Sequence, residues 1–318
     1  NDVLTAHQDF YHNERRPFAE CVFESGISGR MLTSQKPGAI YQDNEKKTAI
    51  EYGVNDGSEG VIEFRYNYAG SNGVASVSKS GYYECERLLY TKTMTEDNDI
   101  SYVFSDDTGK TILRREVSNE TNYDTYFIYD LKDSLVCVIQ PEGSPLVSDN
   151  FALNSTFCNN YCFTYQYDER GNIIEKHIPG AGIEVMAYDM RNRMILYADA
   201  EMQLRGKYKY IRYDSMDRVT EEGYASLNSS IANVRNAQRD NIPIGNYLVN
   251  KMVTRHVTYY GSSSNPALYI PSNSRAYRQG VDRTRCLTLP AIEYIYEEPF
   301  QNGTTLSRGN LIRTKTYF

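Results

Sequence analysis

Tryptophan is absent from this chain of 318 residues, and histidine is scarce. The four histidines, His7, His12, His177 and His256, fall in no His-Glu-x-x-His spacing, which excludes that zinc-hydrolase pattern. His177 and His256 lie in strand-like text and read as packing or solvated positions. There is no Gly-x-Ser-x-Gly elbow to expose a nucleophilic serine, no P-loop and no Gly-rich dinucleotide turn. Positive charge is short: 34 Lys and Arg against 41 Asp and Glu leave a net charge of −7. That balance argues against a nucleic-acid partner, which needs a basic face. No run of 18 apolar residues exists, so no membrane-spanning helix is expected, and the opening residues carry no secretory signal pattern. The six cysteines, at 21, 85, 137, 158, 162 and 286, match no zinc ribbon. Only Cys158 and Cys162 are close; on a strand that separation is too wide to bridge, so buried thiols are expected rather than disulfides.

What the chain has in quantity is tyrosine and glycine, 29 and 21 residues, a balance that leans toward β structure with many turns. Hydrophobic residues at 40% and charged residues at 24% suit a globular protein of one large or two modest domains. The most informative stretch is Phe163-Thr-Tyr-Gln-Tyr-Asp-Glu-Arg-Gly-Asn-Ile-Ile. Phe163, Tyr165 and Tyr167 alternate with polar residues, as in a half-buried strand. Asp168 can bond backbone N–H groups two residues on, and Gly171 can take positive φ, so a type I turn with a left-handed residue is expected.

The same grammar recurs at Tyr129-Asp130, Tyr188-Asp189 and Tyr213-Asp214, with a looser copy at Asp106. Three residues after each first Asp stand Gly109, Asp133, Gly171, Asn192 and Asp217, the residue types that best tolerate the left-handed region. Successive copies from Asp106 are 24, 38, 21 and 25 residues apart, which points to a repeat array with a loop inserted around Pro141-Glu-Gly-Ser-Pro145. Residues 1 to about 16 read as a loosely attached opening segment, and Gly261 to Pro266 as a loop. Thr48–Gly53 and Gly60–Tyr66 read as strands flanking an Asn55-Asp56-Gly57 turn, and residues 81 to 92 as a continuation of the same meander. Leu135–Ile139 reads as a strand buried on both faces. Leu227, Ile231 and Val234 form a helical stripe, so one short surface helix is expected within 226–240, with Ser226 as its cap. These boundaries suggest an N-terminal β domain over 1–100, a repeat region over 101–225, and a helix with continuing β structure over 226–318. The chain opens on Asn1 rather than Met and its last strand-like residues stop abruptly, so a longer parent polypeptide is expected.

The repeated turns resemble the YD repeats of the RHS family, Tyr-Asp-x-x-Gly-Arg-Leu. Arg193 and Arg218 match the Arg after the turn, whereas Asn172 departs from it. The first block resembles the domain that precedes YD repeats in large RHS-type proteins of Bacteroidetes. It is carried by Pro17-Phe18, Gly29-Arg30, Pro37-Gly38-Ala39-Ile40-Tyr41-Gln42 and Tyr52-Gly53-Val54-Asn55. The resemblance implies an all-β fold of mostly antiparallel hairpins forming a curved wall or open spiral sheet, each unit leaning on its neighbours. It also implies a non-catalytic shell wall of a secreted or surface bacterial protein that encloses or presents a C-terminal toxin-like cargo. The partner would be the remainder of the same polypeptide. This chain has no Asp-Pro dipeptide, so a self-cleaving core of the family's kind would lie beyond Phe318. Tyr129, Tyr167, Tyr188 and Tyr213 would pack the sheet, while Asp130, Asp168, Gly171, Asp189 and Asp214 would form the turns.

Two other functions fit the composition. Exposed tyrosines could stack on surface glycans in an adhesion module, and paired acids could serve a polysaccharide hydrolase. Glu84 with Glu86, Asp106 with Asp107, and Glu297 with Glu298 are adjacent on paper, but a glycosidase needs two carboxyls across a cleft. No Asp-x-Asp-x-Asp-Gly run suggests calcium, and the residues call for no cofactor.

Overall fold

The computed structural model describes residues 16, 18–42, 44–69, 73–259, 290–296 and 311–316. The opening segment, the 261–266 loop, Cys286 and the Glu297–Glu298 pair lie outside the described residues. The chain forms two compact units, Asn1–Thr164 and Tyr165–Phe318.

The first unit holds β1 (Glu20–Phe23), β2 (Met31–Gln35), α1 (Ala39–Gln42), β3 (Thr48–Val54), β4 (Ile62–Asn67), β5 (Ser76–Tyr82) and β6 (Leu89–Met94). It continues through β7 (Ile100–Ser105), β8 (Thr111–Ser118), β9 (Thr121–Tyr129), β10 (Leu135–Ile139), β11 (Asn150–Ala152), α2 (Thr156–Tyr161) and the first residues of β12 (Cys162–Tyr167). Antiparallel pairing runs β1–β2–β3–β6–β7–β8–β9–β10–β12. The meander is therefore interrupted. β4 and β5 lie between β3 and β6 in sequence but leave the meander to form a second sheet with β11. The expectation of one continuous meander through residues 81 to 92 is corrected accordingly. The interval between the Asp130 and Asp168 turns carries β10, a 3-10 turn at Ser144–Leu146, β11 and α2.

The two sheets of this unit enclose a core of Val61, Val77, Leu88, Phe104, Leu113, Tyr126, Ile128 and Ile139. Val136 and Cys137 are consecutive and both buried, so β10 is covered on both faces. Asn55 is a buried node rather than a plain turn residue. Its Nδ2 donates to Glu84 O at 2.8 Å, and its Oδ1 accepts from Arg87 N and Leu88 N at 2.9 and 2.7 Å. Arg115 and Asp124 face each other across β8 and β9 in a bidentate pair, both contacts 2.7 Å. Arg115 also donates to Glu59 O at 2.7 Å, so no charge in this pair is buried without partners. Burial pushes the nearby Tyr126 hydroxyl up to about 12.

The second unit continues as β13 (Ile173–Ile178), β14 (Gly182–Tyr188), β15 (Met194–Ala198), α3 (Ala200–Leu204), β16 (Tyr208–Tyr213), β17 (Val219–Leu227), α4 (Ile231–Arg239), β18 (Leu248–Tyr259), β19 (Pro290–Tyr296) and β20 (Leu311–Thr316). Each strand pairs antiparallel with the next, from β13 to β20. Ala187, Ile195, Leu196, Tyr210, Ala225, Val234, Ile244 and Leu248 form its core. At Gly223 the neighbouring strand comes so close that an added Cβ would lie 2.1 Å from the Met252 carbonyl oxygen, so only glycine fits.

The helix expected within 226–240 is present but starts later. Ser226 and Leu227 belong to β17, and Ser230 is the cap, its side chain accepting from Asn233 N at 3.2 Å. Pairing with Leu248 and Val249 holds Leu227 and Ser226 extended, which overrides the helical spacing. Val234, Ala237 and Gln238 form the buried face of α4. The described α-helices number four, all short, and the other described elements are mostly strands in antiparallel pairs. Among the described residues no helix is long and apolar enough to cross a membrane.

Candidate functional site

The repeated turns line up residue for residue. With the Asp as position 1, position 4 is left-handed in all five copies: φ is 84° at Gly109, 63° at Asp133, 82° at Gly171, 60° at Asn192 and 63° at Asp217. In each copy the Asp Oδ1 accepts from the backbone N–H of positions 3 and 5. For Asp168 these donors are Arg170 and Asn172, both at 2.9 Å, and for Asp130 they are Lys132 and Ser134, both at 2.8 Å. Asp106, Asp189 and Asp214 accept in the same way. The backbone closes each bend from position 1 N–H to position 5 C=O, for example Asp189 N to Arg193 O at 3.0 Å. Just beyond each bend the strand register shifts by one residue: opposite Tyr129, Tyr188 and Tyr213 the return strand skips Val136, Ile195 and Thr220. Burial opposes ionisation of Asp168 and Asp214, but side-chain hydrogen bonds from Asn172 and Arg218, together with these backbone donors, outweigh it and hold both below the ordinary carboxylate value. Thr95 to Asp99 makes the same bend, with Asn98 left-handed at φ 65° and Thr95 Oγ1 accepting from Asp99 N. A pattern keyed on Asp misses it; the Thr-x-x-Asn spacing was its signal.

The tyrosines are half-buried beside these bends. Tyr129 and Tyr213 donate to Thr111 O and Met194 O, both at 3.0 Å, the first return residue of the preceding turn. Tyr188 has its hydroxyl shifted upward chiefly by burial. Tyr167 ends β12 immediately before the Asp168 bend.

Side chains at positions 3 and 5 then tie one turn to the next. Arg170 donates to Asp189 O at 2.7 Å and Asn172 Nδ2 to Asn192 Oδ1 at 3.0 Å. Arg191 donates to Ser215 O at 2.8 Å, and Arg193 donates to Asp214 O at 3.0 Å and Asp217 Oδ1 at 2.7 Å. Lys110 reaches Asp133 at 2.6 Å in the first unit. The cation at position 5 also covers the next tyrosine: Arg193 lies 4.7 Å from the Tyr213 ring centre and Lys110 lies 5.7 Å from that of Tyr129. This ladder explains the uneven chemistry of position 4. Where the preceding turn ends in a long donor (Lys110, Asn172 or Arg193), position 4 is Asp133, Asn192 or Asp217, which accept from it. Where it ends in Asp99 or Ser134, position 4 is Gly109 or Gly171.

Among the described acids named from sequence, the structure gives Asp106 and Glu84 structural roles. Asp106 is a bend residue bonded to Thr108 and Lys110, and the Glu84 carbonyl serves Asn55. Glu221, not singled out by sequence, gathers Lys251 at 2.7 Å, the Tyr210 hydroxyl at 3.0 Å and His256 at 3.8 Å. Burial opposes its charge, yet His256, Lys251 and Tyr210 hold its carboxyl down at about 2.

The described cysteines are thiols, as expected, but only three of them are buried. Cys21 and Cys85 are exposed, whereas Cys137, Cys158 and Cys162 are fully buried with their sulfurs all within 4.8 Å of one another. Cys158 and Cys162 do not share a strand. Cys158 lies in α2 and Cys162 caps its C-terminus, its N–H donating to Cys158 O. Hydrogen bonds from Cys158 and Cys162, together with burial, raise the Cys137 thiol well above its ordinary value.

No protein-family model matches the sequence, and no curated protein matches it. Solved structures similar to it include a TcdB2-TccC3 crystal structure, 13% identical over 88% of this chain and 12% of that one, with a TM-score of 0.45. A TcdB2-TccC3-Cdc42 crystal structure is 12% identical over 91% of this chain and 15% of that one, at 0.42. A Photorhabdus luminescens Tc holotoxin pore is 13% identical over 76% of this chain and 13% of that one, at 0.38. This chain therefore spans 12% to 15% of the length of these three chains.

Proposed function

We propose that this chain is a stretch of non-catalytic YD-repeat wall of the RHS kind, in a secreted or surface bacterial protein, enclosing or presenting a toxin-like cargo carried by the same polypeptide. The observation that carries the reading is the ladder: each bend is locked internally by its Asp, and the Asp106, Asp168 and Asp189 bends are each tied to the next bend by its carbonyl or its position 4 acceptor. Such an edge gives stiffness, and it uses the conspicuous Asp and Arg residues structurally. The test is protease protection in the full-length polypeptide. If the wall encloses cargo, the C-terminal segment resists a broad-specificity protease while the protein is native and is cleaved once the wall is unfolded. Equal cleavage of that segment in native and unfolded protein overturns the reading. Saturable binding on a glycan array, or release of reducing sugar from a polysaccharide, would replace it with adhesion or hydrolysis.

A further inference from the structure

We propose that Cys137, Cys158 and Cys162 form a thiolate site for one soft divalent cation of the zinc class. Three separate stretches of chain bring the sulfurs together. β10 and β12 pair antiparallel with Ile139 opposite Cys162 and Cys137 opposite Thr164, so Cys137 and Cys162 point to the same face on a diagonal. α2 then folds Cys158 onto that face one helical turn before Cys162. Its position is fixed by the Ser155 cap, whose hydroxyl accepts from Cys158 N at 3.3 Å. The wall around the triad is the apolar core with Ile139, Phe151, Phe157 and Tyr161.

Three features select the ligand. The donors are all sulfur; among the described residues no His, Asp or Glu joins the group, which disfavours calcium and magnesium. The separations suit a single ion: sulfurs bound at about 2.3 Å around zinc lie about 3.8 Å apart, and the triad already lies within 4.8 Å. The charge favours a divalent ion, because three thiolates around it leave one net negative charge in an apolar wall, whereas a monovalent ion would leave two. Binding breaks three S–H bonds, forms three sulfur–metal bonds and releases three protons to solvent. Buried cysteines also occur as small apolar residues, so the convergence of three at one point is what the proposal rests on. It is independent of the shell reading.

The test uses the full-length, reduced protein and cadmium as probe. A thiolate-to-cadmium charge-transfer band should saturate near one ion per chain, be reversed by zinc, and disappear in Cys137→Ala and Cys158→Ala. Cys21→Ser and Cys85→Ser should leave it unchanged. As a readout that needs no variant, zinc should raise the Tm of the wild-type protein in a concentration-dependent way while calcium does not. No band on the reduced protein, a band that survives loss of the triad, or a Tm indifferent to zinc would overturn the proposal.

Discussion

At position 4 of each turn the backbone asks for a left-handed residue, and the side chain decides what that costs. A Cβ in this region costs about 1–2 kcal/mol, less for Asn and Asp, whose short polar side chains can bond locally. Gly171 has φ 82° with nothing within 4 Å of where its Cβ would project, so a substitution there is opposed by conformation alone. Gly171→Val is expected to cost about 1–2 kcal/mol and Gly171→Asn only a few tenths. The midpoint of urea unfolding measures both, with the slope unchanged. A Val variant as stable as the Asn variant would mean the bend relaxes out of the left-handed region.

Between elements, the ladder adds modest energy and strong register. Arg193 bonds its own Asp189, the next turn's carbonyl and Asp217, while the Asp217 side chain is 58% exposed. A double-mutant cycle of Arg193→Met with Asp217→Asn should therefore give only a small coupling that shrinks in high salt. A coupling of several kcal/mol, or one insensitive to salt, would contradict a solvated edge. This edge was half legible in the sequence. The Asp and the left-handed residue are local requirements, so four bends could be read from Tyr-Asp pairs and a fifth from Asp106 with Gly109. The links between bends could not, because they pair residues some 20 positions apart through strand register, as Arg170 does with Asp189. The same limit hid the departure of β5 into a second sheet, the extension of Ser226 and Leu227 by pairing with β18, and the meeting of Cys137 with Cys158 and Cys162. In each case a contact distant in sequence outvotes the local pattern.

For the molecule as a whole, acidic residues outnumber basic ones, 41 to 34, yet several carboxylates stabilise the fold because partners surround them. Glu221 is a partly buried case. It lies in β17 and is held by Tyr210 from β16 and by Lys251 and His256 from β18. Its carboxyl stands at about 2 when folded against an ordinary 4.5. A folded value below the unfolded one means stabilisation that is present above about pH 4.5 and lost as pH falls toward 2, amounting to about 3 kcal/mol at most. Asp106, Asp168 and Asp214 are lowered in the same direction and add to the same acid limb. Urea midpoints at pH 7 and pH 3 should therefore show a steep fall for the wild-type chain. Glu221→Gln should start lower at pH 7, having lost a buried charge partner for Lys251, and fall less on acidification because the variant has no proton to take up at this site. If both proteins lost equal stability between the two pH values, Glu221 would not be a source of the acid sensitivity, and its cluster with Lys251 and His256 would be energetically idle.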